Sequence, residues 1–173
     1  MSDMSGATPV RQDSGEDLLA EVPAYDLIEL FFFAYRDFVS DPDRILSEYG
    51  FGRAHHRVLH FVDRQPGLTI AELLDILRIT KQSLNRVLKE LIEKDFVESR
   101  TGTADRRQRL LHATAKGHEV AVKLANLQTR RIMRALATLG PDAKTTVSRY
   151  LLAMIDADDR QHVSQIVFGG ERP

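Results

Sequence analysis

The sequence predicts a mainly α fold with one small β wing, and three observations predict it. Apolar residues recur at helical spacing through most of the chain between residues 24 and 168. Two of these apolar runs are separated only by Arg78 and Ile79. A single pair of β-like runs flanks a polar stretch that contains Gly102. The length, 173 residues, fits one domain, or one domain with a small subdomain embedded in it. With 43% hydrophobic and 28% charged residues the chain has an ordinary globular composition. No window approaches 18 consecutive apolar residues, so no transmembrane helix is expected. No basic-then-apolar run opens the chain, which argues against a secretory signal. The absence of cysteine removes disulfides, thiolate metal sites and thiol redox switches, and suits a cytoplasmic protein.

Taken in order, residues 1–21 are rich in Ser, Gly, Asp and Glu without sustained period and read as a mostly disordered tail. Pro23 suits a first helical turn. After it Leu27, Leu30, Phe31, Ala34 and Phe38 share one helical face, widened by Ile28, Phe32 and Tyr35. Phe31-Phe32-Phe33 puts aromatics nearly all round that helix, so burial on more than one side is expected, with a second chain supplying part of it. Ser40-Asp41-Pro42 reads as a cap with proline at N1, starting a separate short helix that stops at Gly50.

A helix over Arg53–Gln65 follows, closed by Pro66-Gly67. Thr69, with Glu72 three residues on, predicts a capping box on a helix over Ile70–Leu77. Thr80 caps the next helix, Lys81–Lys94, whose Leu84, Val87, Leu88, Leu91 and Ile92 form a core stripe. So short a turn between two helices, the second polar on its outward face, is what a helix-turn-helix requires. Phe96–Ser99 and Gln108–Ala113 are strand candidates around a charged tip. Thr114 opens a long helix ending near Gly140, and Pro141 starts the last one, with Val147, Tyr150, Leu151, Met154 and Ile155 apolar.

The net charge of −1 would by itself argue against a polyanionic partner, but its distribution does not. Residues 1–50 hold three Lys/Arg against eleven Asp/Glu, whereas residues 78–116 hold ten against five. Clustered charge, rather than the sum, decides whether a surface attracts phosphate. On the helix Lys81–Lys94, the residues Lys81, Gln82, Ser83, Asn85, Arg86 and Lys89 lie opposite or beside the apolar stripe. Gln and Asn pair with adenine edges, Arg grips guanine, and Ser or Lys holds phosphate. The bland alternative is a solvated helix face, which would ordinarily carry more acid. At the wing tip Asp105, Arg106, Arg107 and Arg109 form a cationic hairpin end of the kind that enters a narrow minor groove. Its alternative is a cationic loop with no partner.

The segment Leu68–Thr114, LTIAELLDILRITKQSLNRVLKELIEKDFVESRTGTADRRQRLLHAT, resembles the DNA-binding core of MarR-type transcriptional regulators. The run Phe51-Gly52-Arg53-Ala54-His55-His56-Arg57-Val58-Leu59 resembles a PetP/LdtR-like branch of that family. The resemblance implies a winged helix-turn-helix DNA-binding domain flanked by dimerisation helices. It pairs Asp105 with Arg107 as the wing's Asp-x-Arg, the carboxylate fixing the arginine; Arg109 stands where many relatives are apolar. Residues 22–66 would then hold dimerisation helices and the first part of the DNA-binding domain, 67–114 the winged helix-turn-helix, 115–168 the long dimerisation helices, and 169–173 a tail. The expected partners are a double-stranded DNA operator, a second copy of the chain, and a small aromatic or anionic effector. For the effector the resemblance points to a crevice lined here by Phe32, Tyr35, His55, His56 and Arg57, residues that serve equally well as core aromatics and packing histidines.

His56 and His60 have the i, i+4 spacing to share a metal, but only Asp63 stands near and ordinary helix histidines are expected, with no metal or cofactor. No Gly-rich phosphate loop, nucleophile elbow or zinc-protease motif appears, so an enzyme is not expected. A winged helix that binds protein or RNA, or a constitutive DNA-binding protein without a ligand, remain the competing classes. The residues leave open whether binding represses or activates.

Overall fold

The computed structural model describes residues 22–102 and 108–169. The tail expected over residues 1–21, the wing-tip residues 103–107 and residues 170–173 lie outside them. The chain divides into two compact units, residues 1–35 and 36–173. In the first, the helix α1 (Tyr25–Ser47, which runs on into the second) presents Leu27, Ile28, Leu30, Phe31, Phe32 and Phe33 at the surface of the single chain. Phe32 and Phe33 meet edge to face.

The second unit holds the rest of α1, then α2 (Arg53–Arg64), β1 (Leu68–Thr69), α3 (Ile70–Leu77), α4 (Lys81–Glu93), β2 (Val97–Thr101), β3 (Arg109–Ala113), α5 (Ala115–Leu136), α6 (Ala143–Ala153) and α7 (Ala157–Phe168). Its core is built where α2 meets α3, α4, α5 and β3. Val58, Leu59 and Val62 of α2 interlock there with Leu73, Leu84, Leu91, Leu111 and Leu124, all fully or almost fully buried. Phe96 and Phe51 sit edge to face at 5.0 Å beside this cluster, with Tyr49 against Phe96 at 5.1 Å.

Four sequence expectations are corrected. Ser40-Asp41-Pro42 does not begin a new helix: α1 passes through Pro42, and the Ser40 hydroxyl donates back to the Asp37 carbonyl at 2.8 Å. Val39, Pro42 and Leu46 bury one face of that stretch, which offsets the hydrogen bond proline cannot make. The sheet has three strands rather than two, in the order β1-β3-β2, with Leu68 opposite Leu111 and Ser99 opposite Leu111 on the other side. Two residues, the second of them the cap of α3, carry no strand period, so β1 left no pattern to read.

Ile92 is 43% exposed and does not belong to the α4 stripe. Finally, the helix expected after Pro141 is two, α6 and α7. The guanidinium of Arg160 donates to the carbonyls of Leu152, Ala153 and Ile155 at 3.0–3.1 Å, satisfying acceptors that a continuous helix would have paired itself.

Candidate nucleic-acid interface

The helix-turn-helix is built by two threonine caps and one left-handed residue. Thr69 Oγ1 accepts from the Glu72 amide at 3.2 Å while the Glu72 carboxylate accepts from the Thr69 amide at 2.9 Å, the expected capping box at the start of α3. Arg78, with φ of 49°, ends α3 and turns the chain. Thr80 Oγ1 then accepts from the Ser83 amide at 3.2 Å and begins α4. Leu84, Val87, Leu88 and Leu91 bury the inner face of α4.

That burial turns Lys81, Gln82, Ser83, Asn85, Arg86 and Lys89 outward, and all six are exposed. Lys89 faces Glu93 at 3.7 Å, and the Ser83 hydroxyl accepts from that of Thr80 at 2.9 Å. The side chains of Lys81, Gln82, Asn85 and Arg86 make no hydrogen bond or ion pair with other described residues. The outward face of α4 is thus polar and exposed, with Lys81, Gln82, Asn85 and Arg86 uncommitted among the described residues.

The wing is the β2–β3 hairpin. Its last described ladder bond runs from the Gly102 amide to the Gln108 carbonyl at 3.0 Å, and Arg100 is paired with Glu98 along β2. Arg109 is exposed, opposite Thr101. Asp105, Arg106 and Arg107 lie outside the described residues.

The residues expected around an effector fall in two groups. Phe32 and Tyr35 belong to the N-terminal unit and are 62% and 43% exposed. His55, His56 and Arg57 stand in the first turns of α2. His55 is committed to packing: its ring stacks on Phe51 at 4.5 Å, Nδ1 accepts from the Gly52 amide at 3.1 Å, and Nε2 lies 2.9 Å from the Glu90 carboxylate. With Nδ1 an acceptor, Nε2 carries the hydrogen and donates to Glu90, tying the start of α2 to α4. Burial holds the His56 imidazole below its ordinary pKa, helped by His60 and Arg57 and opposed by Asp43.

Arg57 is exposed. A cavity of about 610 Å³ lies instead further along α2, where His60, Arg64, His112 and His118 converge from α2, β3 and α5 over Ala121 and Ala125. His118 Nδ1 meets Asp63 at 2.8 Å there, and burial lowers the pKa of both His60 and His112. No sequence period could have announced this convergence, because its members come from three elements. Among the described residues no group of three or more His, Asp or Glu is placed to hold a metal ion. None of their helices is long and apolar enough to cross a membrane.

Known proteins share this fold. The profile described as the MarR family matches residues 49–108, from the end of α1 to the wing. The HTH-type transcriptional regulator PetP of Rhodobacter capsulatus is 48% identical over 139 residues, covering 80% of this chain and 84% of that protein. Among solved structures, Streptococcus pneumoniae FabT in complex with DNA superposes with a TM-score of 0.68 at 14% identity, covering 76% of this chain and 94% of that one. The Mycobacterium tuberculosis MarR family protein Rv2887, in complex with p-aminosalicylic acid, gives 0.53 at 24%, covering 75% and 96%. These two likenesses carry the fold; the similarity to PetP and the profile carry the family. The chain belongs to the MarR family of DNA-binding transcriptional regulators, which are not enzymes.

Proposed function

We propose that this regulator binds a pseudo-palindromic duplex operator as a homodimer, inserting α4 into the major groove of each half-site and the wing into the adjoining minor groove. The outward face of α4 carries the reading: Gln82, Asn85 and Arg86 are exposed and unengaged by other described residues, with Lys81, Ser83 and Lys89 placed for phosphate. Arg106, Arg107 and Arg109 are assigned to the wing's contacts, with Asp105 orienting Arg107. One winged helix reads only a few base pairs, so useful specificity calls for two half-sites and a two-fold dimer.

Support for the dimer comes from apolar side chains the single chain leaves in water. Leu30, Phe31 and Phe32 are 64%, 49% and 62% exposed, and Ile132, Met133, Tyr150 and Leu151 on α5 and α6 are 46–55% exposed. That FabT is described in complex with DNA agrees with a duplex partner.

An aromatic or anionic effector is the second element of the reading, favoured by the complex of Rv2887 with p-aminosalicylic acid. The cavity where Arg64 meets the imidazoles of His60 and His112 over Ala121 and Ala125 is assigned to it, one guanidinium and two ring edges above an apolar floor. An effector acts only by binding the DNA-competent and incompetent forms unequally.

The test is selection of duplexes from a random pool by the full chain, followed by titration of the selected site with Arg107→Ala. A two-fold symmetric site and weakened binding are expected, and the salt slope should fall by about one unit for each phosphate no longer neutralised. A site without symmetry would refute the dimer, and an unchanged Kd at fixed salt would refute the wing assignment.

A further inference from the structure

The C-terminal helix α7 has no fully buried residue, and of its larger apolar side chains only Val163 and Ile166 are half-buried, so apolar burial holds it weakly. Two polar contacts distant in sequence add to that hold. Asp159 is paired with Arg78, and His162 Nε2 lies 3.0 Å from Asp75 Oδ2. Asp75 and Arg78 are three residues apart at the end of α3; Asp159 and His162 are three apart on α7. On α7 such residues share a face, and Arg78 follows the last turn of α3 directly. The pairing order is reversed, 75 with 162 and 78 with 159, so the two helices cross antiparallel and the contact fixes a direction as well as a distance.

The root of α7 is fixed too, because Arg160 holds the closing carbonyls of α6. Its far end, residues 166–168, faces Phe61 and Arg64 of α2 across a cavity of about 360 Å³.

What α7 grips is the turn of the helix-turn-helix. Arg78 is the left-handed residue that ends α3, a conformation uncommon for a residue with a Cβ, and the cap of α4 is only two residues further on. The angle at which α4 leaves α3 is set in this turn.

We propose that Asp159 and His162 are positioning residues for DNA recognition: through Arg78 and Asp75, α7 braces the turn from which α4 projects, so that the affinity for duplex depends on the C-terminal helix. The inference rests on the reading that α4 contacts DNA. Neither residue need approach the duplex.

The experiment is fluorescence anisotropy of the full chain with a duplex of about 30 base pairs selected by the protein from a random pool. Asp159→Arg replaces an anion by a cation, and attraction to phosphate alone would tighten binding. The brace predicts the opposite, a loss of about two- to fivefold, the range of one partly exposed ion pair. Arg78→Asp is expected to lose at least as much. The double exchange restores net charge and pairing, and is expected to return within about twofold of wild type, which neither a damaged fold nor a missing phosphate partner would do. His162→Ala gives an independent loss through Asp75.

Unchanged or tighter binding by Asp159→Arg would overturn the proposal, as would failure of the double exchange to recover. Asn85→Ala separates the two levels. If it loses affinity while Asp159→Arg does not, the brace alone fails; if it has no effect, the reading of α4 fails and the brace with it.

Discussion

Replacing Gly117 by alanine inverts the usual effect of that substitution in a helix. At an unhindered helical position the exchange stabilises by about 0.5–1 kcal/mol, because glycine loses more backbone freedom on folding. Here a Cβ on residue 117 would stand 1.9 Å from the Phe96 carbonyl oxygen and 2.9 Å from its carbon, where ordinary contact begins at 3.4 Å. The obstacle is backbone, and Phe96 is fully buried, so no side chain can swing aside.

The same carbonyl accepts from the Thr114 amide at 3.1 Å, while Thr114 Oγ1 accepts from the Gly117 amide at 3.0 Å and donates to the Asp95 carbonyl at 2.7 Å. Relief therefore requires the first turn of α5 to lift off the α4–β2 connection. Overpacking of this kind costs about 1–3 kcal/mol. Loosening the Thr114 bonds adds on the order of 1 kcal/mol. The expected net destabilisation is about 2–3 kcal/mol, measured by urea unfolding followed by circular dichroism, with wild type and variant compared by linear extrapolation. A Gly117→Ala protein as stable as wild type would refute the claim that α5 is docked this closely.

Thr80→Ala removes the side-chain acceptor at the start of α4 and is expected to destabilise by about 1 kcal/mol in the same assay. Asn85→Ala, if Asn85 reads a base edge, should cost about 1–3 kcal/mol in operator affinity and relax preference at one position, whereas Lys89→Ala should weaken all duplexes alike and lower the salt slope by about one unit. Stability should also fall with acid. Burial holds His56, His60 and His112 below the ordinary imidazole value of 6.5, so between that value and their folded pKa the unfolded chain binds more protons. Their contribution is intact above pH 6.5 and is lost as pH falls through the folded values; His60→Gln should flatten the slope of unfolding free energy below pH 6.5, and an unchanged slope would refute it.

The elements that were legible are those whose signal is local. Thr69 with Glu72, and Thr80 before a stripe of Leu84, Val87, Leu88 and Leu91, fixed both helices of the helix-turn-helix within a residue. The exposed face of α4 followed from that stripe by periodicity alone. What was not legible depends on partners far away in the chain. Pro42 reads as a helix start until Val39, Pro42 and Leu46 are seen to bury a common face. The break after α6 turns on Arg160 reaching back to carbonyls five to eight residues earlier, and Ile92 carries the right spacing for the core face yet stays exposed beside the buried Leu91, the last residue of that face. Gly117 looks like a weak residue in a first helical turn, and only the approach of Phe96 explains it.

His55 shows why the same limit matters for the functional face. By residue type it suits a ligand crevice, yet its ring is spent on Phe51, Gly52 and Glu90. Glu90 lies near the end of α4, so His55 secures that end from α2. Lys94 secures it again, donating to the Tyr49 carbonyl at 2.6 Å. At the other end the turn is held through Arg78, and between them the apolar stripe is sealed against α2. A helix fixed at both ends and along its inner face needs nothing from its outer face for stability. Gln82, Asn85 and Arg86 are therefore spared structural work by residues on the inner face and at the two ends of α4, and a rigid helix with uncommitted polar side chains loses least entropy when it docks against a partner.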